Sequence, residues 1–384
     1  MAMIEYIPGL EKVPAAESAI SFIDGEKGIL EYRGIRIEDL AAHSTFEEVA
    51  YLLTTGRLPT EPELQEFHRR AAHGRILSKE LKEVIKRTPA SAHPMAALQT
   101  AVAAVGMVSA HSNIYDEKSR EDCAVEFIGK FPSLVAAIHR VRHGMDIVEP
   151  DPSLPIAADF LHMLSGEKPD TNKARAMDIC LILHADHTMN ASTFTTRVTA
   201  STECQPSAAI SAAVGSLSGP LHGGANEAVL HMLEEIGSKE KAAPWFERKL
   251  ERKEKIMGMG HRVYKTKDPR ATILQGLARD LFVKSGSSPL YDIAVELETM
   301  AIEKLGPRGI YPNVDFYAGI VYNRLAIPTD LFTPIFAVSR VAGWSAHWME
   351  QMRHNRIFRP TQVYQGEHGV PYVPMAERKE GVRA

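Results

Sequence analysis

A histidine in a glycine-rich turn is the most informative feature of this 384-residue sequence. His222 lies in residues 219–227, which read GPLHGGANE, and an amphipathic run follows over 228–236. The N-terminus of a helix carries positive partial charge, so an imidazole placed there is disfavoured as a cation. We therefore expect His222 to stay neutral at pH 7, where it can donate a hydrogen bond to developing negative charge.

Two further segments place polar side chains in turns rich in Gly or Pro. Residues 258–270 read GMGHRVYKTKDPR and contain His261 and Arg270, whereas residues 311–317 read YPNVDFY and contain Asp315. An arginine at a helix start can bind a carboxylate with both arms of its fork, helped by the helix dipole. A carboxylate beside a carbon acid can act as a general base.

Each of these residues also has a structural interpretation. An isolated histidine such as His222 commonly caps a loop, and Asp315 could cap the helix that begins near it. Residues 248–270 carry nine Lys or Arg against three Asp or Glu, which a solvated basic face would explain equally well. For His222 we favour the functional interpretation, because two glycines follow it and a helix start lies behind it. For Asp315 and the basic run, the residues alone leave both interpretations open.

The composition excludes several classes of function. The chain is 45% hydrophobic and 24% charged with a net charge of −4, so no overall field attracts nucleic acid or an anionic membrane. The longest apolar stretch, residues 95–110, is interrupted by polar residues and too short to span a bilayer. No signal peptide is recognisable, and three cysteines without CxxC spacing indicate a reducing compartment. The sequence predicts a cytoplasmic protein.

Metal binding and nucleotide motifs receive little support. His184 and His187 have i, i+3 spacing, and His139 and His143 have i, i+4 spacing, but no HExxH or cysteine cluster accompanies them. A metal-dependent hydrolase that uses His184, His187 and His222 stays open as an alternative. The segment 219–224 lacks the Gly-Lys-Ser/Thr ending of a P-loop, and no GxGxxG opens a βαβ unit.

Hydrophobic periodicity predicts a mainly α protein with one small N-terminal β-hairpin, formed by residues 19–25 and 28–34 around Asp24-Gly25. The principal predicted helices cover residues 37–42, 45–55, 60–72, 78–87, 95–111, 174–185, 208–217, 244–255 and 340–355. Asp268-Pro269 predicts a further helix start. The runs 95–111 and 208–217 are rich in small residues, which favours a tightly packed helical interface between subunits over simple packing in the core.

Several ordered motifs then resemble those of the citrate synthase family. They are PGLEKVP at 8–14, LEYRGI at 30–35, LHADHTMNASTF at 183–194, GPLHGGAN at 219–226, GMGHRVY at 258–264, DPR at 268–270, YPNVD at 311–315, VSR at 338–340 and RIFRP at 356–360. The resemblance covers nearly the whole chain and is closest to the compact bacterial type. Met259 departs from the aromatic or small residue usual there, while the glycines and His261 of that motif are intact.

The resemblance implies a two-domain helical fold and a homodimer. A small domain over residues 221–324 would be inserted into a large domain formed by 1–220 and 325–384, with the active site between them. The substrates would be oxaloacetate and acetyl-CoA, with no tightly bound cofactor and no metal. The alternatives are a 2-methylcitrate synthase that uses propionyl-CoA and an inactive member that acts as a scaffold.

The resemblance also assigns residues to roles. Asp315 would remove the methyl proton of acetyl-CoA, His222 would stabilise the enolate, and His261 would polarise and protonate the oxaloacetate carbonyl. The two carboxylates of oxaloacetate would be bound by His187, Arg270, Arg340 and Arg359, the last from the partner subunit. A phosphate of CoA would be bound by Lys265.

Overall fold

Helices form most of the described chain, which comprises residues 6–109, 113–283 and 289–378 of a computed structural model. Contacts divide the chain into two units, one of residues 18–357 and one of the terminal segments 6–17 and 358–378. The terminal unit contains the 3-10 turns Pro8–Leu10 and Met375–Glu377 and is otherwise irregular. All described α-helices and strands lie in the larger unit, and the predicted mainly α fold is confirmed.

The predicted N-terminal hairpin is present and has a third strand. The strands are β1 Ser21–Asp24, β2 Ile29–Tyr32 and β3 Ile35–Arg36, antiparallel in that order. Asp24 fixes the first turn, because its Oδ1 accepts hydrogen bonds from the backbone amides of Glu26 and Lys27 at 3.2 and 3.1 Å. This turn meets the predicted site, since the backbone oxygen of Gly25 accepts from the amide of Lys265 at 3.0 Å.

Sixteen α-helices lie within the described residues. The first ten are α1 Ile37–His43, α2 Phe46–Thr55, α3 Glu61–Gly74, α4 Lys79–Lys86, α5 Pro94–Val108, α6 Glu117–Arg142, α7 Ile156–Ser165, α8 Thr171–His184, α9 Ala191–Ala200 and α10 Pro206–Leu217. The remaining six are α11 Ala225–Ile236, α12 Lys239–Glu251, α13 Pro269–Val283, α14 Pro289–Leu305, α15 Val314–Arg324 and α16 Phe332–Arg353.

Pro244 lies inside a helix, although the sequence predicts a helix that begins at this residue. Helix α12 begins at Lys239 and runs through Pro244. Ala242, Trp245 and Phe246 are buried on either side of the proline, and this burial holds the helix across a residue without an amide hydrogen.

The prediction for 95–111 extends beyond the end of α5, and its residues 110 and 111 lie outside the described residues.

Helix α16 forms the centre of the core. It packs against α2, α6, α8, α9 and α10, and almost every one of its residues is buried. Trp344 meets Phe131 of α6 edge to face, with ring centroids 6.3 Å apart. A polar side chain on α16 therefore lies in the protein interior and requires a partner there.

The small-residue helices α5 and α10 pack against each other within one chain. A Cβ atom at Gly106 of α5 would clash with Ser207, and one at Gly215 of α10 would clash with Gln99. The small residues thus allow a close approach of these two helices inside the chain.

A similar close approach predicts a stability difference between two helical glycines. A Cβ at Gly129 on α6 would clash with the backbone of Ala71 on α3, whereas one at Gly276 on α13 would have nothing within 4 Å. We expect Gly129→Ala to lower the thermal unfolding midpoint, at a cost of about 1–3 kcal/mol. Gly276→Ala is the matched control and should leave the midpoint unchanged or raise it. Equal midpoints for both variants would contradict this packing.

Candidate active site

Two loops that carry predicted site residues are joined by backbone hydrogen bonds. The amide of Gly260 donates to the oxygen of Tyr311 at 2.8 Å, and the amide of Asn313 donates to the oxygen of Gly258 at 2.9 Å. Gly258 and Gly260 have φ angles of +75° and +84°, a conformation that favours glycine. His261 and Asp315 therefore leave adjacent loops.

Asp315 lies in the first turn of α15 but does not cap it. Asn313 is the N-cap: its Oδ1 accepts from the amide of Asp315 at 3.0 Å, and its Nδ2 donates to the oxygen of Gly260 at 2.9 Å. Among the described residues, no hydrogen bond to the Asp315 carboxylate is found, so this group is not used in capping. Burial raises the pKa of Asp315 to about 6, although Arg270 and Arg340 act to lower it.

The imidazole of His261 is held by its Nδ1 atom. Nδ1 accepts hydrogen bonds from the backbone amides of Val263 and Tyr264 at 3.0 and 3.3 Å. A nitrogen that accepts from amides carries a lone pair, so the neutral ring has its proton on Nε2. Burial, and after it the charge of Arg270, lower the pKa of His261 to about 4. His261 is therefore a neutral hydrogen-bond donor at pH 7.

His222 is held through the opposite nitrogen. Its Nε2 accepts from the backbone amide of Ser192 at 3.2 Å and lies 2.8 Å from Ser192 Oγ, so the proton belongs on Nδ1. Ser192 Oγ in turn accepts from Trp344 Nε1 at 3.0 Å. Burial, and after it Arg340, lower the pKa of His222 to about 4. The helix N-terminus that meets this ring is that of α9, whereas the sequence predicted the helix after His222.

Gly223 explains why the turn after His222 needs glycine. A Cβ atom there would clash with the backbone oxygen of Leu217 at the end of α10 and with Thr333. Thr333 of α16 donates from Oγ1 to the oxygen of Gly223 at 2.9 Å. The turn is thereby fixed against α10 and α16.

His187 follows helix α8 and faces the His261 loop. Its ring lies 5.2 Å from that of His261 between centroids, and its Nε2 lies 3.3 Å from the hydroxyl of Tyr264. Burial, and after it Arg270 and His261, hold the pKa of His187 well below its ordinary value. Three neutral imidazoles, His187, His222 and His261, thus lie within the electrostatic influence of Arg270 or Arg340.

The two predicted carboxylate-binding arginines of the larger unit, Arg270 and Arg340, are buried and differ in their partners. Arg270 grips Asp268 with two hydrogen bonds, Nε to Oδ1 at 3.0 Å and Nη2 to Oδ2 at 2.7 Å. Arg340 donates from Nε to the backbone oxygen of His184 at 2.7 Å, while its Nη2 is buried and has no partner in the described residues. A buried unpaired donor is costly, so Arg340 is ready to bind an anion.

The remaining predicted binding residues, Arg359 and Lys265, are both exposed. Arg359 lies exposed in the terminal unit, and its Nη1 donates to the oxygen of Pro360 at 3.2 Å. The side chain of Lys265 is exposed, and the segment around it is fixed by its backbone bond to Gly25. Their predicted roles therefore stay predictions.

Sequence reasoning missed the residues that hold the histidines. Ser192 and Trp344 support His222, and Tyr264 contacts both His187 and His261. One signal was available: Asn190 and Ser192 follow His187 within one motif, and Asn190 is the N-cap of α9. The pairing of Ser192 with a histidine thirty residues away has no local signal.

The metal alternative finds no support in this arrangement. His184 Nδ1 lies 2.8 Å from the backbone oxygen of Cys180, and the described residues contain no group of three His, Cys, Asp or Glu that could hold a metal ion.

No helix among the described residues is long and apolar enough to cross a membrane.

Comparisons with known proteins agree with the geometry. The family described as "Citrate synthase, C-terminal domain" matches residues 9–361. A citrate synthase of Synechocystis sp. is 55% identical over 370 residues, which cover 96% of this chain and 93% of the relative. Among solved structures, citrate synthase from Pyrobaculum aerophilum has a TM-score of 0.90 and 42% identity, covering 96% of this chain and 95% of its own.

A third relative was solved with ligands. Citrate synthase from Thermoplasma acidophilum, in a ternary complex with carboxymethyl coenzyme A and oxaloacetate, has a TM-score of 0.91 and 37% identity, covering 97% of this chain and all of its own. Fold and site thus define a helical transferase of the acyl-condensing class. More specifically, the chain belongs to the citrate synthase family, whose reaction condenses acetyl-CoA with oxaloacetate.

The opposite attachment of the two histidines predicts opposite tautomers. At pH 7 we expect the proton of His222 on Nδ1 and that of His261 on Nε2, because Ser192 and the amides after His261 occupy the other nitrogens. The ¹⁵N chemical shifts of histidine-labelled protein distinguish the two forms, with His222→Gln and His261→Gln used for assignment. The same tautomer at both positions, or protonated rings at pH 7, would contradict the hydrogen bonding described above.

Proposed function

We propose that Asp315, His222 and His261 carry out the condensation of acetyl-CoA with oxaloacetate. The observation that carries this proposal is the set of donors and base: two neutral imidazoles, each held by one nitrogen, and a carboxylate without a hydrogen-bond partner in the described chain. Arg270 or Arg340 acts on the pKa of each of the three groups. The pKa of Asp315, raised to about 6, leaves it ionised at pH 7 and makes it a stronger base than an ordinary aspartate.

Enolate formation is the difficult step. The methyl group of a thioester is a very weak acid, and a lone carboxylate cannot deprotonate it unless the enolate oxygen is stabilised at the same moment. Asp315 takes the proton, and His222 donates from Nδ1 to the thioester oxygen. A neutral donor suits this role because its own proton stays in place while charge develops on the oxygen.

Carbon–carbon bond formation needs a polarised ketone. His261 donates from Nε2 to the oxaloacetate carbonyl and supplies its proton as the enolate carbon attacks. Arg270, Arg340 and His187 bind the carboxylates, and the buried unpaired Nη2 of Arg340 supports this assignment. Water then hydrolyses the thioester intermediate to citrate and CoA.

The CoA site, the domains and the dimer belong to the same proposal. Lys265 binds a CoA phosphate, and the ligands of the Thermoplasma relative support a joint site for both substrates.

Residues 221–324 form the small domain, supported by the packing of α11 with α12, α14 and α15, and of α13 with α15. The protein works in the cytoplasm as a homodimer, in which Arg359 serves the partner's site.

Replacement of the base tests the proposal directly. Asp315→Asn keeps the size of the side chain and removes the base, so oxaloacetate-dependent release of thiol from acetyl-CoA should fall by about 10²–10⁴-fold. Oxaloacetate binding should be retained. Asp280→Asn, at an exposed position on α13, is the control and should leave the rate unchanged. Propionyl-CoA assayed in parallel measures the acyl preference. Unchanged thiol release in Asp315→Asn would exclude Asp315 as the base.

A mixed dimer tests the shared site. Arg359→Gln should impair oxaloacetate binding and Asp315→Asn should remove the base, so each homodimer should be weak or inactive. If Arg359 serves the partner's site, a heterodimer of the two variants has one site with both residues intact, because a two-fold interface exchanges equivalent residues. Such a heterodimer, isolated with two affinity tags, should recover about half of the wild-type activity. Activity no higher than the mean of the homodimers would place Arg359 in its own subunit's site.

A further inference from the structure

One face of α16 fastens the segment 184–187 at three successive points. Arg340 donates from Nε to the oxygen of His184, and the amide of Gly343 donates to the oxygen of Ala185 at 3.1 Å. A Cβ atom at Gly343 would clash with Ala185 and Asp186, so the helix approaches this segment as closely as a backbone can. One turn further along, His347 Nε2 lies 3.3 Å from Asp186 Oδ1.

Asp186 is completely buried and is held from the opposite side by the N-terminal sheet. Ser21 of β1 donates from Oγ to its Oδ2, and the amide of Thr188 lies 3.2 Å from the same oxygen. The hydroxyl of Tyr32 lies 2.9 Å from the backbone oxygen of Asp186 and 3.1 Å from its amide nitrogen. These contacts fix both the carboxylate and the backbone directly before His187.

The orientation of His347 follows from Arg197. Arg197 of α9 donates from Nε to His347 Nδ1 at 3.0 Å, so the proton of the neutral ring is on Nε2 and faces Asp186. His347 Nε2 and Asp186 Oδ1 are both buried, and neither has a hydrogen-bond partner in the described chain. The 3.3 Å separation of the two atoms is the only polar contact recorded for either of them among the described residues. Arg197 is itself paired with Glu350, so its charge is already balanced.

We propose that Asp186 and His347 are positioning residues of the oxaloacetate site: Asp186 is the permanent counter-charge of Arg340, and His347 holds Asp186 and thereby orients His187. This inference rests on the proposed binding of oxaloacetate by Arg340 and His187. Arg340 has no carboxylate of its own comparable to Asp268 beside Arg270, and its unpaired Nη2 stays available for substrate. A carboxylate near Arg340 that leaves Nη2 unpaired can balance the charge of the guanidinium and still let Nη2 bind the substrate.

Electrostatics supports the same arrangement. Burial lowers the pKa of Arg340 to about 10, and Asp186 is the principal group that acts in the opposite direction. Burial also opposes the ionisation of Asp186, yet His347, Arg340 and Ser21 outweigh it and keep the pKa of Asp186 below its ordinary value. The ionisable groups that act on Arg340 or are acted on by it are Tyr32, His184, Asp186, His187, His222, Arg270 and Asp315.

The first test replaces the counter-charge. In Asp186→Asn the buried guanidinium loses the carboxylate that favours its charge. We expect the KM and the Kd for oxaloacetate to rise about tenfold or more. The KM for acetyl-CoA should change little. Kinetics and titration calorimetry on the complete protein measure these values.

A matched control separates positioning from a loss of stability. Asp159 is equally buried and pairs with Arg75 at 2.6 Å, away from the residues named above. Asp159→Asn should destabilise the fold, because it also leaves a buried charge unpaired, without a change in the KM for oxaloacetate. An equal rise in the KM for oxaloacetate in both variants would overturn the proposal.

Two substitutions of His347 test the proposed positioning role if Asp186→Asn fails to fold. In His347→Gln the amide nitrogen can donate to Asp186 and the amide oxygen can accept from Arg197, whereas His347→Phe can do neither. We expect Gln to keep most of the oxaloacetate affinity and Phe to lose about tenfold or more. Equal affinities in the two variants would contradict the role of His347.

A further variant distinguishes failure of this inference from failure of the proposed function. Arg340→Gln should abolish measurable oxaloacetate binding if Arg340 binds the substrate. If Arg340→Gln binds oxaloacetate as the wild type does, the proposed site itself is wrong. If Arg340→Gln loses binding but Asp186→Asn and His347→Phe bind oxaloacetate as the wild type does, only the positioning role is wrong.

Discussion

Desolvation of ionisable side chains is the constraint on which the rest of the site depends. Burial is the largest influence on the pKa of His222, His261 and Asp315, and it makes the histidines neutral and the aspartate more basic. In water the two histidines would not stay fully neutral at pH 7, and the carboxylate would be a weaker base. The packing of helices around the loops is therefore part of the chemistry, because it removes the solvent that would set ordinary pKa values.

Burial that tunes the histidines also imposes a cost on the arginines. Two guanidiniums held away from water need negative charge nearby, even before substrate arrives. Asp268 meets this need for Arg270 by a direct two-point contact within one helix start. Arg340 lies on the buried helix α16, and the proposed solution there keeps the carboxylate close enough to act on its charge while its Nη2 remains unpaired. The two arginines thus illustrate a local and a long-range answer to one electrostatic problem.

Much of the site could be predicted from short segments, because turns and helix starts have local causes. The glycines around His222 and His261, the helix start at Asp268-Pro269 and the N-terminal hairpin all follow from adjacent residues. Contacts that depend on the packing of helices cannot be predicted from adjacent residues in this way. Ser192 with His222, Asn313 as the cap in place of Asp315, and His347 with Asp186 depend on how helices pack, and the hydrophobic pattern of a fully buried helix such as α16 does not indicate which face meets which neighbour.

Helix α9 shows how such packing couples parts of the chemistry that are separate in sequence. Its first turn supplies the amide of Ser192 that fixes the tautomer of His222, and further along the same helix Arg197 fixes the orientation of His347. The cap of the same helix, Asn190, also donates from Nδ2 to the backbone oxygen of His187 at 3.3 Å. A shift of α9 would therefore disturb the proposed enolate donor and the proposed oxaloacetate site together. Contacts from one helix to both keep the two halves of the proposed bimolecular reaction in a fixed relative position, which the joining of two carbon atoms requires.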